Sequence, residues 1–158
     1  MKEFLGKKEE LFIINAMQPY FQYDAPSQWY RLKLPQNWEI EEGQENCTSF
    51  FDEMNGVGVL QISVYTFPLD EIVKPEKELS EYLAERGYSP PLPTIHSVVL
   101  NNDRKIAVAI CFDNDTFWKY WAIVERVKFF FITYNCPVSV RSEEEKIADG
   151  IVSSLVVF

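Results

Sequence analysis

The sequence predicts an α+β domain in which an antiparallel sheet lies between two covering layers. The main observation is the run Arg104–Cys136, which has the pattern of three successive strands rich in aromatic residues. The last two strands are apolar on both faces, and this is typical of central strands that are covered on both sides. An amphipathic pattern over Ser142–Ser153 then predicts a C-terminal helix. The length of 158 residues agrees with one domain.

Residues 1–28 have the least regular pattern in the chain. Their apolar residues suit a ragged amphipathic helix, although Gly6 weakens this interpretation because glycine disfavours helices. We expect residues 1–28 to form an N-terminal extension that packs on a core of residues 29–158.

The core begins with an alternating segment, Trp29–Leu34, which predicts a half-buried strand. Pro35 ends this strand, and Trp38 is expected in the loop that follows. The stretch Glu39–Glu45 carries four glutamates and one glycine. This composition predicts a solvated connection.

Two pairs of apolar segments predict β-hairpins. Thr48–Glu53 and Val57–Phe67 flank Asn55-Gly56, and Asn-Gly between apolar runs is the strongest short hairpin signal. Ile95–Leu100 and Lys105–Phe112 flank a second turn rich in asparagine.

Two further turns connect the aromatic strands. Asp113-Asn114-Asp115 predicts a solvated turn into a strand over Phe117–Glu125. A tight connection near Arg126-Val127 then leads into a strand over Phe129–Cys136.

The first of the two helices is predicted between Pro75 and Gly87, because proline suits a first helical turn and glycine suits an exit. Between them, Leu79, Tyr82 and Leu83 have the spacing of one apolar stripe.

For the C-terminal helix, Ser142 and Glu145 predict a capping box. Gly150 is expected to allow close approach of this helix to the sheet, and residues Leu155–Phe158 could add a short final strand. The predicted buried stripe consists of Ile147, Ala148, Ile151 and Val152.

The net charge of −9 bears on the partners. An acidic surface repels phosphate backbones and anionic lipids, so neither nucleic acid nor membrane is an expected partner. Solubility is the simplest explanation of this charge, and a partner with a basic surface is the alternative. The expected partner is another protein. The only apolar run near the N-terminus is Leu11–Ile14, which is shorter than the roughly 7–15 residues of a signal peptide core. No stretch of the chain reaches the ~18 apolar residues of a membrane span. We therefore expect a cytoplasmic location.

Residues for familiar catalytic or metal-binding arrangements are missing. Cys47, Cys111 and Cys136 are far apart and include no Cys-x-x-Cys pair, which argues against a zinc site. His96 is the only histidine, which argues against a His-based triad. The Asp113-Asn114-Asp115 loop lacks the glycine and the distal glutamate of a calcium-binding loop. We expect no enzymatic activity, no metal and no cofactor.

The order of these elements resembles the Mog/PsbP-like fold over about residues 28–158. The residues that carry the resemblance are Leu34-Pro35-Gln36-Asn37-Trp38 after the first strand, and a terminal helix that leads into Ser154-Leu155. The resemblance implies a three-layer α/β/α sandwich around a mainly antiparallel sheet of about six to seven strands. It is closest to uncharacterised bacterial domains of this fold, whose better-known members mostly bind proteins. None of their partner-binding residues can be matched to positions in this chain.

A set of aromatic residues near glutamates is the candidate binding site. Core packing or tethering of the N-terminal extension is one explanation of the aromatic residues. A binding patch bordered by the glutamates is the other, because Trp and Tyr anchor interfaces. The candidate binding residues are Tyr20, Tyr23, Trp29, Trp38, Glu39, Glu41 and Glu42, with Phe21 as a further member of the aromatic set.

The sequence thus favours a non-enzymatic protein-binding module with an acidic surface. One alternative is a small-molecule-binding protein, or a hydrolase of unfamiliar type, with a pocket between sheet and helix. Another is a secretion adaptor or an immunity-type protein that masks one cognate partner.

Overall fold

The computed structural model describes residues 19–54, 56, 58–88, 93–100 and 103–158. The helix expected in the N-terminal extension lies outside the described residues. So do Asn55, Asn101 and Asn102 of the expected hairpin turns, and most of the proline-rich segment after Tyr88.

The described residues form ten strands, two α-helices and one short 3-10 helix at Val138–Val140. The helices are α1 (Pro75–Glu85) and α2 (Arg141–Ser153). The strands are β1 (Tyr20–Asp24), β2 (Tyr30–Pro35), β3 (Trp38–Glu42), β4 (Cys47–Asp52), β5 (Val59–Thr66), β6 (Ile95–Val99), β7 (Lys105–Asp113), β8 (Thr116–Glu125), β9 (Lys128–Pro137) and β10 (Val156–Val157).

Seven of the strands form one antiparallel sheet in the order β3-β4-β5-β9-β8-β7-β6. Every pair of neighbours in it is antiparallel, and β9 lies at its centre. The predicted hairpin pairs and the two central aromatic strands are therefore confirmed, as is the α+β class. The pairing of β5 with β9 joins strands β3–β5 to strands β6–β9, which are distant in the chain, and places Ile62 opposite Ile132.

The two faces of this large sheet are covered by different layers. On one face, Leu79 and Leu83 of α1 are fully buried against Ala107 and Ala109 of β7. These small residues leave room for the helix to approach. The other face packs against α2 and against a second sheet, β1-β2-β10. The three-layer arrangement is confirmed, but one of its outer layers combines a helix with a small sheet.

The sequence predicted a loop at Trp38 and a solvated connection over Glu39–Glu45. This prediction was wrong for residues 38–42. Trp38–Glu42 forms β3, an edge strand that pairs with β4. Trp38 is buried, whereas Glu39 and Glu41 alternate with it toward solvent. Charged residues are common on edge strands because they discourage pairing with other chains. The glutamates therefore mark a sheet edge.

The predicted capping box at α2 was also wrong. The helix begins at Arg141 after the 3-10 turn, and its N-cap residue, Val140, makes no side-chain cap. Ser142 lies inside the first turn, because the preceding 3-10 helix already directs the chain into α2. Of the predicted buried stripe, Ala148, Ile151 and Val152 are buried, while Ile147 is 40% exposed.

A buried lysine connects α2 to the sheet. Lys119 of β8 is 8% exposed, and its Nζ donates hydrogen bonds to Glu145 Oε1 at 3.1 Å and Asp149 Oδ1 at 2.7 Å. Arg141 Nε donates a further bond to Glu145 at 3.1 Å. Burial raises the pKa of Glu145, but its contacts with Lys119 and Arg141 outweigh burial and hold this pKa below its usual value.

No helix in the described ranges is long and apolar enough to cross a membrane.

Candidate functional site

The predicted binding residues do not form one exposed patch. Tyr23 and Trp38 are buried, and Trp29 is half-buried, whereas Tyr20 is 61% exposed. The Tyr23 hydroxyl lies 3.4 Å from Glu42 Oε1 and donates a weak hydrogen bond to it. Packing therefore accounts for most of this aromatic set.

The predicted glutamates are divided by the alternation of β3. Trp38 and Glu42 share the face of the large sheet that packs against the small sheet. Glu39 and Glu41 point to the opposite face, because successive side chains of a strand alternate. A site that uses all three glutamates together is not formed.

Tyr20 and Trp38 nevertheless line a common depression of about 760 Å³. It lies between α2, the small sheet and the β3–β4 end of the large sheet, and we call it the α2 groove. Its lining residues are Tyr20, Lys33, Pro35, Asn37, Trp38, Asp52, Lys146, Ile147, Gly150, Ile151 and Ser154.

A second depression lies on the opposite face of the large sheet. α1 packs mainly on β6, β7 and β8, so much of the face formed by β5 and β9 is left open beside the helix. Two adjoining hollows of about 280 and 300 Å³ share Tyr65, Tyr82 and Phe131, and we call them together the α1 groove. Its other lining residues are Gln61, Ser63, Glu78, Glu81, Glu85, Arg86, Trp118, Phe129 and Thr133.

Aromatic rings form the floor of the α1 groove. Tyr65 is 51% exposed and stacks on Phe129 at a centroid distance of 6.3 Å. The Phe131 ring lies 4.5 Å from that of Tyr82 on α1. Trp118 extends the row at the far end of the groove. Partly exposed rings that are held in place by their neighbours are the groups that anchor protein interfaces.

The side wall of the α1 groove is acidic. Glu78, Glu81 and Glu85 of α1 all line it, since residues three to four apart share one helix face. Only Glu81 among them has a basic neighbour within the described residues, the exposed Lys77 at 3.9 Å. Such an exposed ion pair contributes little to the stability of the fold, on the order of 0–1 kcal/mol.

One cation closes the far end of the α1 groove. The guanidinium carbon of Arg86 lies 4.3 Å from the centre of the Trp118 ring, and Arg86 Nη1 donates a hydrogen bond of 3.0 Å to the Tyr82 hydroxyl. The same ring system therefore already binds one guanidinium group from within the chain. This contact shows which chemistry the aromatic row accepts.

The other residues that the sequence singled out lie apart from both grooves. Asp113, Asn114 and Asp115 form the solvated turn between β7 and β8 that was predicted. Burial raises the pKa of Cys111 and of Cys136, so neither is an activated thiol. Within the described ranges, no group of three His, Cys, Asp or Glu side chains has the arrangement of a metal site.

Sequence reasoning missed the α1 groove for a specific reason. In the sequence, the glutamates of α1 have the spacing of a solvated helix face, and Tyr65 and Phe131 occupy alternating positions of two strands. These local patterns do not indicate which helix covers which half of the sheet. The alternation of Gln61, Ser63 and Tyr65 along β5 was the available signal, because a fully covered face would be apolar.

Comparison with solved structures identifies the fold. A solution structure of cyanobacterial PsbP (CyanoP) from Synechocystis superposes with a TM-score of 0.69 at 11% sequence identity, covering 90% of this chain and 94% of that chain. A crystal structure from Bacteroides thetaiotaomicron superposes with a TM-score of 0.58 at 15% identity. It covers 90% of this chain but only 49% of the other, so the present chain spans about half of that protein's length.

The chain therefore has a PsbP-like fold, as the sequence resemblance indicated. No protein-family model matches the chain, and no curated protein sequence matches it. At identities of 11% and 15% the similarity concerns the fold alone. The two grooves are therefore the features that bear on function.

Proposed function

We propose that this chain is a protein-binding module without catalytic activity of its own. Its docking site is the α1 groove, and its partner is a segment of another protein that is rich in arginine or lysine. The observation that supports the proposal is the row of partly exposed rings directly beside three glutamates of α1.

The chemistry of the groove favours a cationic side chain. The cation–π interaction of an arginine or lysine placed above a ring is worth about 0.5–1 kcal/mol at an exposed site, and more when water is excluded. Glu78 and Glu85 can pair with the same cation from the side. The Arg86–Trp118 contact is an intramolecular example of this interaction. Nucleic acid is disfavoured here, since the carboxylates repel phosphates.

The shape of the groove favours a polypeptide segment. Its two hollows share their central residues, so an extended segment could place one side chain in each of them. Alternate side chains of an extended segment point to one face, and this gives two anchors about 7 Å apart. Small-molecule sites have volumes of roughly 300 Å³ or more. The two hollows, at about 280 and 300 Å³, only approach or equal this lower limit.

A displayed library of random peptides of about twelve residues would test the proposal. We expect the peptides selected on the wild-type protein to carry net positive charge, with arginine enriched next to apolar residues. Their affinity should fall steeply between about 0.05 M and about 0.5 M salt. The triple variant Glu78→Gln/Glu81→Gln/Glu85→Gln should bind them at least about tenfold more weakly.

A matched variant separates the α1 groove from the patch that the sequence suggested. Glu39→Gln/Glu41→Gln/Glu42→Gln removes the same number of charges from β3. It should leave peptide binding unchanged, except for a small general effect of net charge. Selected peptides that are neutral or acidic, or equal weakening by both triple variants, would contradict docking in the α1 groove.

A further inference from the structure

We infer that the α2 groove is a separate binding site for a carboxylate that carries an apolar body, such as a medium-chain fatty acid. The α2 groove lies on the other face of the large sheet from the α1 groove, so this inference does not depend on the proposed function.

The volume and lining of the α2 groove suit a small amphipathic molecule. About 760 Å³ falls inside the range of roughly 300–1,000 Å³ that is typical of small-molecule sites. Pro35, Trp38, Ile147 and Ile151 supply an apolar surface. Ile147 is 40% exposed although it was expected in the core, because it faces the groove. An apolar chain placed there would cover it.

The charge of the α2 groove selects an anion. Lys33 of β2 and Lys146 of α2 line it from different elements, in a chain whose net charge is −9. Within the part of the chain that the structure describes, neither ammonium group lies within 4.0 Å of a carboxylate. Asp52 also lines the groove, but it accepts hydrogen bonds from Asn37 Nδ2 at 2.6 Å and from the Met54 backbone N at 3.0 Å.

Gly150 supports the inference independently. It occupies an interior position of α2, where glycine is disfavoured relative to nearly every other residue. The sequence suggested that it allows the helix to approach the sheet, but a β-carbon at this position would meet no atom within 4 Å. Packing does not require the glycine. Gly150 forms part of the wall of the α2 groove, and the groove is wider there because glycine has no side chain.

Titration calorimetry of the full chain with dodecanoate, below its micelle-forming concentration, tests the inference. We expect saturable binding of one molecule per chain. Dodecan-1-ol, which has the same apolar body without the charge, should bind about tenfold more weakly, since a hydrogen bond to a charged group is worth about that factor. Dodecyltrimethylammonium should show no saturable binding.

Variants assign the binding to the α2 groove. Lys33→Gln and Lys146→Gln should each weaken dodecanoate binding about tenfold, whereas Lys105→Gln, an exposed lysine of β7, should leave it unchanged. Gly150→Leu should weaken binding by occupying part of the groove, with an unchanged or higher melting temperature because leucine favours helices. That temperature shows that the variant is folded.

Two results would overturn the inference. One is the absence of saturable dodecanoate binding to the wild-type chain. The other is binding that Gly150→Leu and both lysine variants leave unchanged, which would place the dodecanoate elsewhere. Because the α1 groove is separate, Glu78→Gln/Glu81→Gln/Glu85→Gln should bind dodecanoate as the wild type does. Loss of peptide binding and loss of dodecanoate binding are thus distinguishable.

Discussion

The two faces of the large sheet differ in how completely they are covered. On the face toward α2 and the small sheet, Phe50, Ile62, Phe130 and Ile132 are fully buried. On the face toward α1, Tyr65, which lies on the same strand as Ile62, remains 51% exposed. The first face holds the larger apolar cluster, so we expect it to contribute more to the stability of the fold. The second leaves aromatic rings partly exposed, and these rings are available to a partner.

Neighbouring phenylalanines of β9 provide the strongest test of this difference. Phe130 points into the closed face and is fully buried, whereas Phe131 points into the α1 groove and is half-buried. We expect Phe130→Ala to lower the free energy of unfolding by about 3–5 kcal/mol. Phe131→Ala should cost less than half as much, since it removes partial burial and its contacts with Tyr82 and Tyr120.

Urea denaturation of both variants would measure the comparison, with the slope checked to exclude a change in the unfolded state. Equal losses of stability for the two substitutions would show that the α1-side face is as important to the fold as the closed one. The α1 groove would then be better explained as part of the core than as a docking surface.

A test by pH addresses the charged connection between α2 and the closed face. Lys119 and Arg141 hold the pKa of Glu145 below its usual value of 4.5. A carboxyl whose pKa is lower in the folded state stabilises the fold above its unfolded pKa, and this contribution is lost as pH falls through the folded pKa. The wild type should therefore exceed Glu145→Gln in stability by about 1 kcal/mol near neutral pH.

The expected difference disappears as the pH falls below the folded pKa of Glu145, because both side chains are then neutral. Chemical denaturation of the two proteins over a series of pH values from neutral downward measures it. Glu143→Gln is the matched control, because Glu143 is an exposed residue of the same helix turn. A stability difference between wild type and Glu145→Gln that stays constant with pH would contradict the role given to Lys119.

Much of this architecture follows from local patterns. The apolar faces of β8 and β9, and the Asn-Gly signal between β4 and β5, depend on residues close together in the chain. The spacing of Leu79 and Leu83 placed α1 correctly for the same reason. Such signals predict elements and hairpin partners because each is set by backbone preferences and by one local pattern of burial.

The pairings that create the sites are not local. β5 pairs with β9 across more than a third of the chain length, and β2 pairs with β10 across most of it. No residue in either strand specifies its distant partner. These pairings decide that α1 covers only half of its face and that α2 stands beside β2. The chemistry of each groove was therefore visible in the sequence, while the assembly of each groove was not.

The glutamates illustrate the same limit. Glu39, Glu41 and Glu42 are adjacent in sequence and were grouped for that reason, but strand alternation separates them. Glu78, Glu81 and Glu85 are spread over two helical turns, yet they form one wall. Proximity in the chain predicts a shared surface only after the secondary structure is known.

The smallest expected effect concerns the α2 groove and has the opposite sign to the others. Gly150→Ala should raise the free energy of unfolding by about 0.5–1 kcal/mol, because alanine has the higher helix propensity and its β-carbon meets no neighbouring atom. Thermal denaturation followed by circular dichroism would measure the rise. Since one methyl group fills little of about 760 Å³, this variant should bind dodecanoate as the wild type does, whereas Gly150→Leu should bind it more weakly. A fall in stability would show that α2 needs the glycine for packing, and the open wall of the groove would then have no functional significance.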